Sequence, residues 1–258
     1  MIATQIFAHR GSASTHPENT MIAFLEAERV GADGIELDVQ LSKDGEVVVI
    51  HDEKLNRTTN GTGYVKDFSL QQLKSLDASY TFFHQKGNAT IPTLEEVLKM
   101  LSGNAMLLNI ELKNGILEYP GLEEKVIQLI EYYNMQNRVI LSSFNHNSLV
   151  YCYQLAPYIE TAPLYRDQLF KPWIYASAIG AKAIHPNIKV ASQQVIVNSI
   201  KEGIKVRPYT INNIKKMQEL FFIQCSGIFT DYPKEALAVR REMNNKRIEE
   251  RESDLRYF

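Results

Sequence analysis

Cysteine is scarce in this chain. Its two cysteines, Cys152 and Cys225, lie far apart with no Cys-x-x-Cys pair. That argues against a disulfide framework or a cysteine-ligated zinc site and leaves two buried thiols as the simpler reading. Long hydrophobic runs are missing too: no stretch approaches the ~20 apolar residues of a membrane span. The N-terminal MIATQIFAHRG lacks the basic lead and apolar core of a secretion signal. Neither sign of charge dominates, with 28 Lys and Arg against 30 Asp and Glu and a formal net charge of −2. Nothing here predicts a global attraction to nucleic acid or to anionic membranes. The expectation is a soluble, cytoplasmic protein with a small-molecule partner, no nucleic acid and no stable membrane insertion. Oligomeric state stays open.

What is present centres on residues 34–52, GIELDVQLSKDGEVVVIHD. Glu36 and Asp38 stand at i and i+2 on an apolar run, so on a strand they share a face. Two unpaired carboxylates on a buried face are very costly, so a cation must meet them, unless this is an edge strand with one wet face. The turn at Lys43–Gly45 leaves only about five residues before the next apolar run. A parallel crossover needs a dozen or more, so the two runs form an antiparallel hairpin that returns His51 towards Asp38.

Around this stretch, apolar strand runs and helical patterns alternate. Strands are expected near 5–9, 34–38, 105–111, 138–143, 159–164, 181–185, 204–209 and 227–230. Helical spacing fills most of the intervals, and Thr93 with Glu96 has the capping-box pattern. Eight βα units with near-continuous apolar strands predict an α/β fold, a (β/α)8 TIM barrel. A doubly wound open sheet is the alternative, but no Gly-rich dinucleotide turn follows the first strand. Residues 53–90 break the rhythm and predict a small inserted cap after the second strand's hairpin, within a single domain spanning 1–258. Residues 240–258 read as a charged C-terminal tail.

A barrel of this kind carries its active site at the C-terminal ends of the strands. Those ends collect His9 and Arg10; Glu36, Asp38 and, through the hairpin, His51; Glu111 and Lys113; Ser143, Phe144 and Asn145; Tyr165 and Arg166; His185; Tyr209 with Asn212; and Thr230 with Asp231. Three carboxylates, Glu36, Asp38 and Glu111, make an all-oxygen ligand set suited to Mg²⁺ or Ca²⁺ rather than zinc. For Glu111 alone, a salt bridge to Lys113 is the plainer reading. His9 and His51 offer an acid–base pair near neutral pH, and Arg10 and Lys113 offer charge for phosphate oxygens. Together these predict hydrolysis of an anionic ester, with a phosphodiester the best match. His16, His84 and His146 read as loop or surface residues, His185 as a possible substrate contact, and Glu18 as a brace for Arg10.

The motifs His9-Arg10-Gly11, Pro17-Glu18-Asn19-Thr20, Gly31 to Asp52 and Asn109-Ile110-Glu111-Leu112-Lys113 resemble the signature of the glycerophosphodiester phosphodiesterases. Ile91 to Glu96, Ser142-Ser143-Phe144 and Gly227 to Pro233 fit the same pattern, so the resemblance spans roughly residues 5–235. It implies metal ligation by Glu36, Asp38 and Glu111, acid–base catalysis by His9 and His51, and phosphate contacts from Arg10 and Lys113. It also implies release of sn-glycerol 3-phosphate and an alcohol from deacylated phospholipids. One departure is visible: members often carry a Trp where this chain has Tyr209, in Arg207-Pro208-Tyr209-Thr210-Ile211-Asn212. Tyr209, like Phe144, is expected to wall the substrate pocket. The preferred alcohol and the metal stay open, as does the choice of acid, with His51 favoured for its place on the hairpin's return. A lysophospholipid or phosphoinositide substrate and a non-catalytic phosphometabolite-binding barrel are the alternatives.

Overall fold

The computed structural model describes residues 4–79 and 89–255, with side chains as far as Lys246. The expected surface residue His84 and part of the expected cap at 53–90 lie outside those residues. Among the described residues, nine strands form one sheet, eight of them in the order β8-β7-β6-β5-β4-β2-β1-β9 and β3 beside β2. They are β1 (Gln5–Ala8), β2 (Gly34–Leu41), β3 (Val47–Val49), β4 (Leu107–Leu112), β5 (Val139–Ser143), β6 (Glu160–Tyr165), β7 (Ala183–Pro186), β8 (Lys205–Val206) and β9 (Gly227–Thr230). Every pairing along that order is parallel. The seam between β8 and β9 is bridged by Phe229 N–H donating to Pro208 O at 3.2 Å and Ile211 N–H donating to Phe229 O at 2.8 Å. The sheet is therefore a nearly closed eight-strand barrel, and β3 stands outside the ring.

Helices cover the outside because each strand turns alternate residues outwards. On β2 these are Ile35, Leu37, Val39 and Leu41, which join one core cluster with Leu108 and Ile110 of β4, Phe24, and Leu94, Val97 and Leu98. Phe24 lies on α1 (Met21–Val30), which Thr20 caps at its start and Gly31, at φ +87°, closes in the left-handed region. The other three lie on a helix spanning Leu94–Leu101, where the capping box of Thr93 and Glu96 forms as its sequence pattern predicts. The interior residues of β2 are then Gly34, Glu36, Asp38 and Gln40, which explains why the carboxylates share a face.

The hairpin is present. β3 pairs antiparallel with β2, with Val39 opposite Val49, and Ile50 N–H donates to Asp38 O at 3.0 Å. The edge-strand reading of Glu36 and Asp38 is overturned, since β2 lies between β1 and β4 and the two carboxylates are 4% and 1% exposed. After the hairpin, Leu55, Val65 and Leu73 build a small core of their own beneath Val48, Ile50 and Ile91. The final helix runs unbroken from Pro233 to Leu255. Its Arg240 donates to Thr4 O at 2.9 Å and to Asp33, so the beginning of the charged tail is fastened to the foot of the barrel.

Candidate active site

Register brings the carboxylates together. In the β2–β4 ladder Glu36 stands beside Asn109 and Asp38 beside Glu111, so three acids from neighbouring strands point into the same mouth. One ligand oxygen from each of Glu36, Asp38 and Glu111 lies within 4.8 Å of the others. Burial raises the Glu36 pKa first and the charge of Asp38 raises it further. Asp38 is held low: burial opposes its charge, but Arg10, His51 and Lys113 outweigh that. Asp38 Oδ1 is buried and has no hydrogen-bond partner. A buried orphan oxygen in a three-carboxylate cluster fits a hard divalent cation, which takes oxygen ligands of this type.

Both imidazoles reach this cluster, and each has an acid behind it. His9 Nδ1 lies 2.7 Å from Asp231 Oδ1, and His9 Nε2 lies 4.0 Å from Glu36 Oε2. His51 Nδ1 lies 2.6 Å from Asp52 Oδ1. Ionised carboxylates only accept hydrogen bonds, so each Nδ1 carries the proton and each Nε2 is directed at the site. Burial disfavours the charged form of His9, yet the hydrogen bond to Asp231 and the charge of Glu36 raise its pKa above the ordinary value.

The His51 segment is fixed by Gln40, the next interior residue of β2. The Gln40 amide donates to the carbonyls of Ile50, His51 and Asp52 at 3.0, 3.1 and 2.8 Å. Tyr119 in turn donates to Gln40 Oε1 at 2.7 Å. Arg57 joins Asp52 to Glu18 through its Nε and Nη1 atoms at 2.7 Å each. Arg10 also meets Glu18, at 2.8 Å, the bracing expected from the sequence.

Arg10 itself is strained. It sits at φ +54° and its N–H donates to Glu36 Oε2 at 2.8 Å. Its Nε lies 3.4 Å from Asp38 Oδ2, and Asn19 Nδ2 donates to that same oxygen at 2.8 Å. Left-handed backbone at a non-glycine residue costs about 1–3 kcal/mol and persists where surroundings over-determine it. Gly11 follows at φ +81°, where a Cβ would come within 2.7 Å of the Ala23 Cβ. On the other side, Lys113 Nζ lies 2.8 Å from Glu111 Oε1, 3.8 Å from Asp38 Oδ1 and 3.2 Å from His51 Nε2. The Glu111–Lys113 salt bridge and the carboxylate cluster thus coexist.

The mouth has two lobes. The inner lobe, about 490 Å³, holds His9, Glu36 and His51 on one side and Asn109, His185 and Tyr209 on the other. The outer lobe, about 610 Å³, opens beside Lys113 between the loops that follow β4 and β6. Glu111, Phe144, Leu164 and Arg166 line both. The Arg166 guanidinium lies 4.6 Å from the Phe144 ring centre, and that ring meets Tyr209 edge-on at 6.2 Å.

The residues expected to hold metal (Glu36, Asp38, Glu111), to carry protons (His9, His51), to contact phosphate (Arg10, Lys113) and to wall the pocket (Phe144, Tyr209) therefore gather, with His185, at one end of the barrel. Asp52, Asn19, Gln40 and Arg57 are site residues that the sequence does not predict, and neither does it predict the role of Asp231 behind His9. Gln40 alone had a local signal, as the third polar residue of the 36, 38, 40 alternation.

An oxygen-only acidic cluster flanked by two imidazoles and the cations Arg10 and Lys113, at the C-terminal mouth of a parallel barrel, defines a hydrolase of anionic esters. Comparison with known proteins narrows this. Residues 9–235 match the model of the glycerophosphoryl diester phosphodiesterase family. The chain is 49% identical over 243 residues to a glycerophosphodiester phosphodiesterase of Bacillus altitudinis, covering 93% of this chain and 99% of the relative. It is 44% identical over 239 residues to another from Caldanaerobacter subterraneus, covering 93% and 98%. Among solved structures, it is similar to an Oleispira antarctica phosphodiesterase in complex with the product sn-glycerol-3-phosphate, at 30% identity and TM-score 0.84, covering 92% and 96%. The chain belongs to the glycerophosphoryl diester phosphodiesterase family.

Proposed function

We propose that this chain hydrolyses glycerophosphodiesters to sn-glycerol 3-phosphate and an alcohol. The observation that carries the reading is the Glu36–Asp38–Glu111 cluster with the His9–Asp231 and His51–Asp52 pairs beside it. These three carboxylates would hold a divalent cation, Mg²⁺ or Ca²⁺, which when bound neutralises charge on the phosphate oxygens. Arg10 and Lys113 grip the remaining oxygens. Phosphate competes with His51 for the Lys113 ammonium, so substrate binding frees His51 Nε2.

The polar inner lobe suits the glycerol, whose hydroxyls need partners. Two are ready: Asn109 Oδ1 and His185 Nδ1 are buried and unpaired. The other ester arm then leaves towards Lys113 and His51. His9, braced by Asp231, takes the proton of the attacking hydroxyl, from water or from the glycerol itself; in the second case a water must then open the cyclic phosphate to give sn-glycerol 3-phosphate. A bond forms between that oxygen and phosphorus, the bond to the alcohol oxygen breaks, and His51, which takes a proton from solvent at its freed Nε2, delivers that proton to the departing alcohol. Tyr209 and Phe144 wall the site. We also propose that the described part of the expected cap, residues 53–79, is inserted in the single barrel domain, with Arg57 as its link to the site.

The test is a panel of glycerophosphodiesters assayed for released sn-glycerol 3-phosphate. Turnover of several members supports the reading, and none with any divalent metal would overturn it. Among the described residues no helix is long and apolar enough to cross a membrane, and the reading requires none.

A further inference from the structure

The two lobes differ in chemistry. The inner lobe carries the polar atoms of Asn109, Ser142, Asn187 and Lys189. The outer lobe is walled by Ile116, Phe144, Leu164, Leu169 and Tyr175. Its lip continues onto apolar surface: Ile116 is 79% exposed, and Phe170, next in the chain to Leu169, is 90% exposed. The polar functions of two lining residues are already used within the protein, since the Tyr175 hydroxyl lies 2.7 Å from His146 Nδ1 and His146 Nε2 lies 2.8 Å from Leu164 O. The lobe begins at Lys113 and Glu111, so whatever fills it is attached to the phosphate. A diester has two arms, and the polar lobe claims the glycerol.

We propose that the outer lobe is the subsite for the leaving alcohol and is built for an apolar arm. The proposal rests on the function proposed above and adds the chemical class of the alcohol. A volume of about 610 Å³ exceeds what a two-carbon alcohol fills. Burial of apolar surface is the main energy such walls offer, and each buried methylene is worth about a two- to fourfold gain in binding. Glu53 and Asp167 on the rim raise the opposite possibility of a cationic alcohol. Arg166 and Lys113 on the same lobe offset them, and the neutral walls decide in favour of an apolar arm.

The test uses the full chain loaded with Mg²⁺ or Ca²⁺ and glycerophosphodiesters of ethanol, butanol and hexanol. We expect kcat/KM to rise about two- to fourfold per methylene. The 3,3-dimethylbutyl ester, a neutral isostere of the choline ester, should be at least as good a substrate as the choline ester. In Ile116→Asp, an exposed position where a folding defect is not expected, the hexyl-to-ethyl ratio should fall towards one, while Ile116→Leu preserves it. A flat chain-length series overturns the proposal, as does a choline ester preferred tenfold over its isostere or an unchanged ratio in Ile116→Asp. If the ethyl ester is hydrolysed and the series is flat, the subsite alone fails. If no glycerophosphodiester is hydrolysed, the function and the subsite fall together.

Discussion

At the scale of single residues, the chemistry is divided between two imidazoles with an acid behind each. Loss of His9 or His51 to alanine should lower turnover by roughly 10²–10⁴, the usual worth of a positioned acid or base. The two losses should separate when the leaving group changes. A nitrophenolate departs without help, so on a nitrophenyl ester His51→Ala should regain most of its loss and His9→Ala should not. Equal defects on both esters would remove His51 from the role of acid. The first atoms of this site were legible in the sequence because their geometry is local. Glu36 and Asp38 share a face by strand alternation alone, and His9 ends an apolar run. Asp231 was not legible as a partner: it meets His9 across 222 residues of chain, and no local pattern encodes that contact. The same holds for Asn19 on Asp38 and Arg57 on Glu18. Such pairs exist only once the strands have assembled.

At the scale of elements, the β2–β3 hairpin is the device that delivers His51. Loop length foretold the hairpin, but not how its return is fixed. Three carbonyls on the Gln40 amide do that. Gln40→Ala should therefore lower kcat about tenfold or more through misplacement of His51, while adding little in a His51→Ala background. A full additional loss in the double variant would show that Gln40 acts elsewhere, because independent effects add. The turn after β1 is equally constrained. Gly11 needs a positive φ and has no room for a Cβ against Ala23, so Gly11→Ala should cost at least about 1–3 kcal/mol of stability. Thermal or denaturant unfolding would reveal it, and an unchanged midpoint would contradict this reading of the turn.

At the scale of the whole molecule, the barrel separates a working mouth from a stabilising foot. Strand count and alternating pattern made the barrel legible, since eight apolar runs spaced by helices admit few other folds. The ion pairs of the foot were not legible, because Glu160 at the start of β6 meets Arg207 just beyond β8 at 2.7 Å and Lys205 on β8 only when the strands assemble. Burial opposes the Glu160 charge, but Arg207 and then Lys205 outweigh it and hold its pKa below the ordinary value. A carboxylate depressed in the folded state adds stability that is present above its unfolded pKa. That stability is lost as pH falls through the lower folded value. The wild-type melting temperature should therefore drop on acidification below about pH 4.3, the ordinary glutamate value. Glu160→Gln should be less stable at pH 7, by up to about 3 kcal/mol, and should lose less on acidification across that window. Parallel curves for the two proteins would remove Glu160 from the acid response. The metal-dependent mechanism turns on the three carboxylates clustered in the mouth. Its most direct test is the release of sn-glycerol 3-phosphate from glycerophosphocholine by chelator-stripped protein before and after divalent metal is restored. We predict activity near background in chelator and recovery with Mg²⁺ or Ca²⁺; full activity in chelator after thorough stripping would rule out a working metal at these carboxylates.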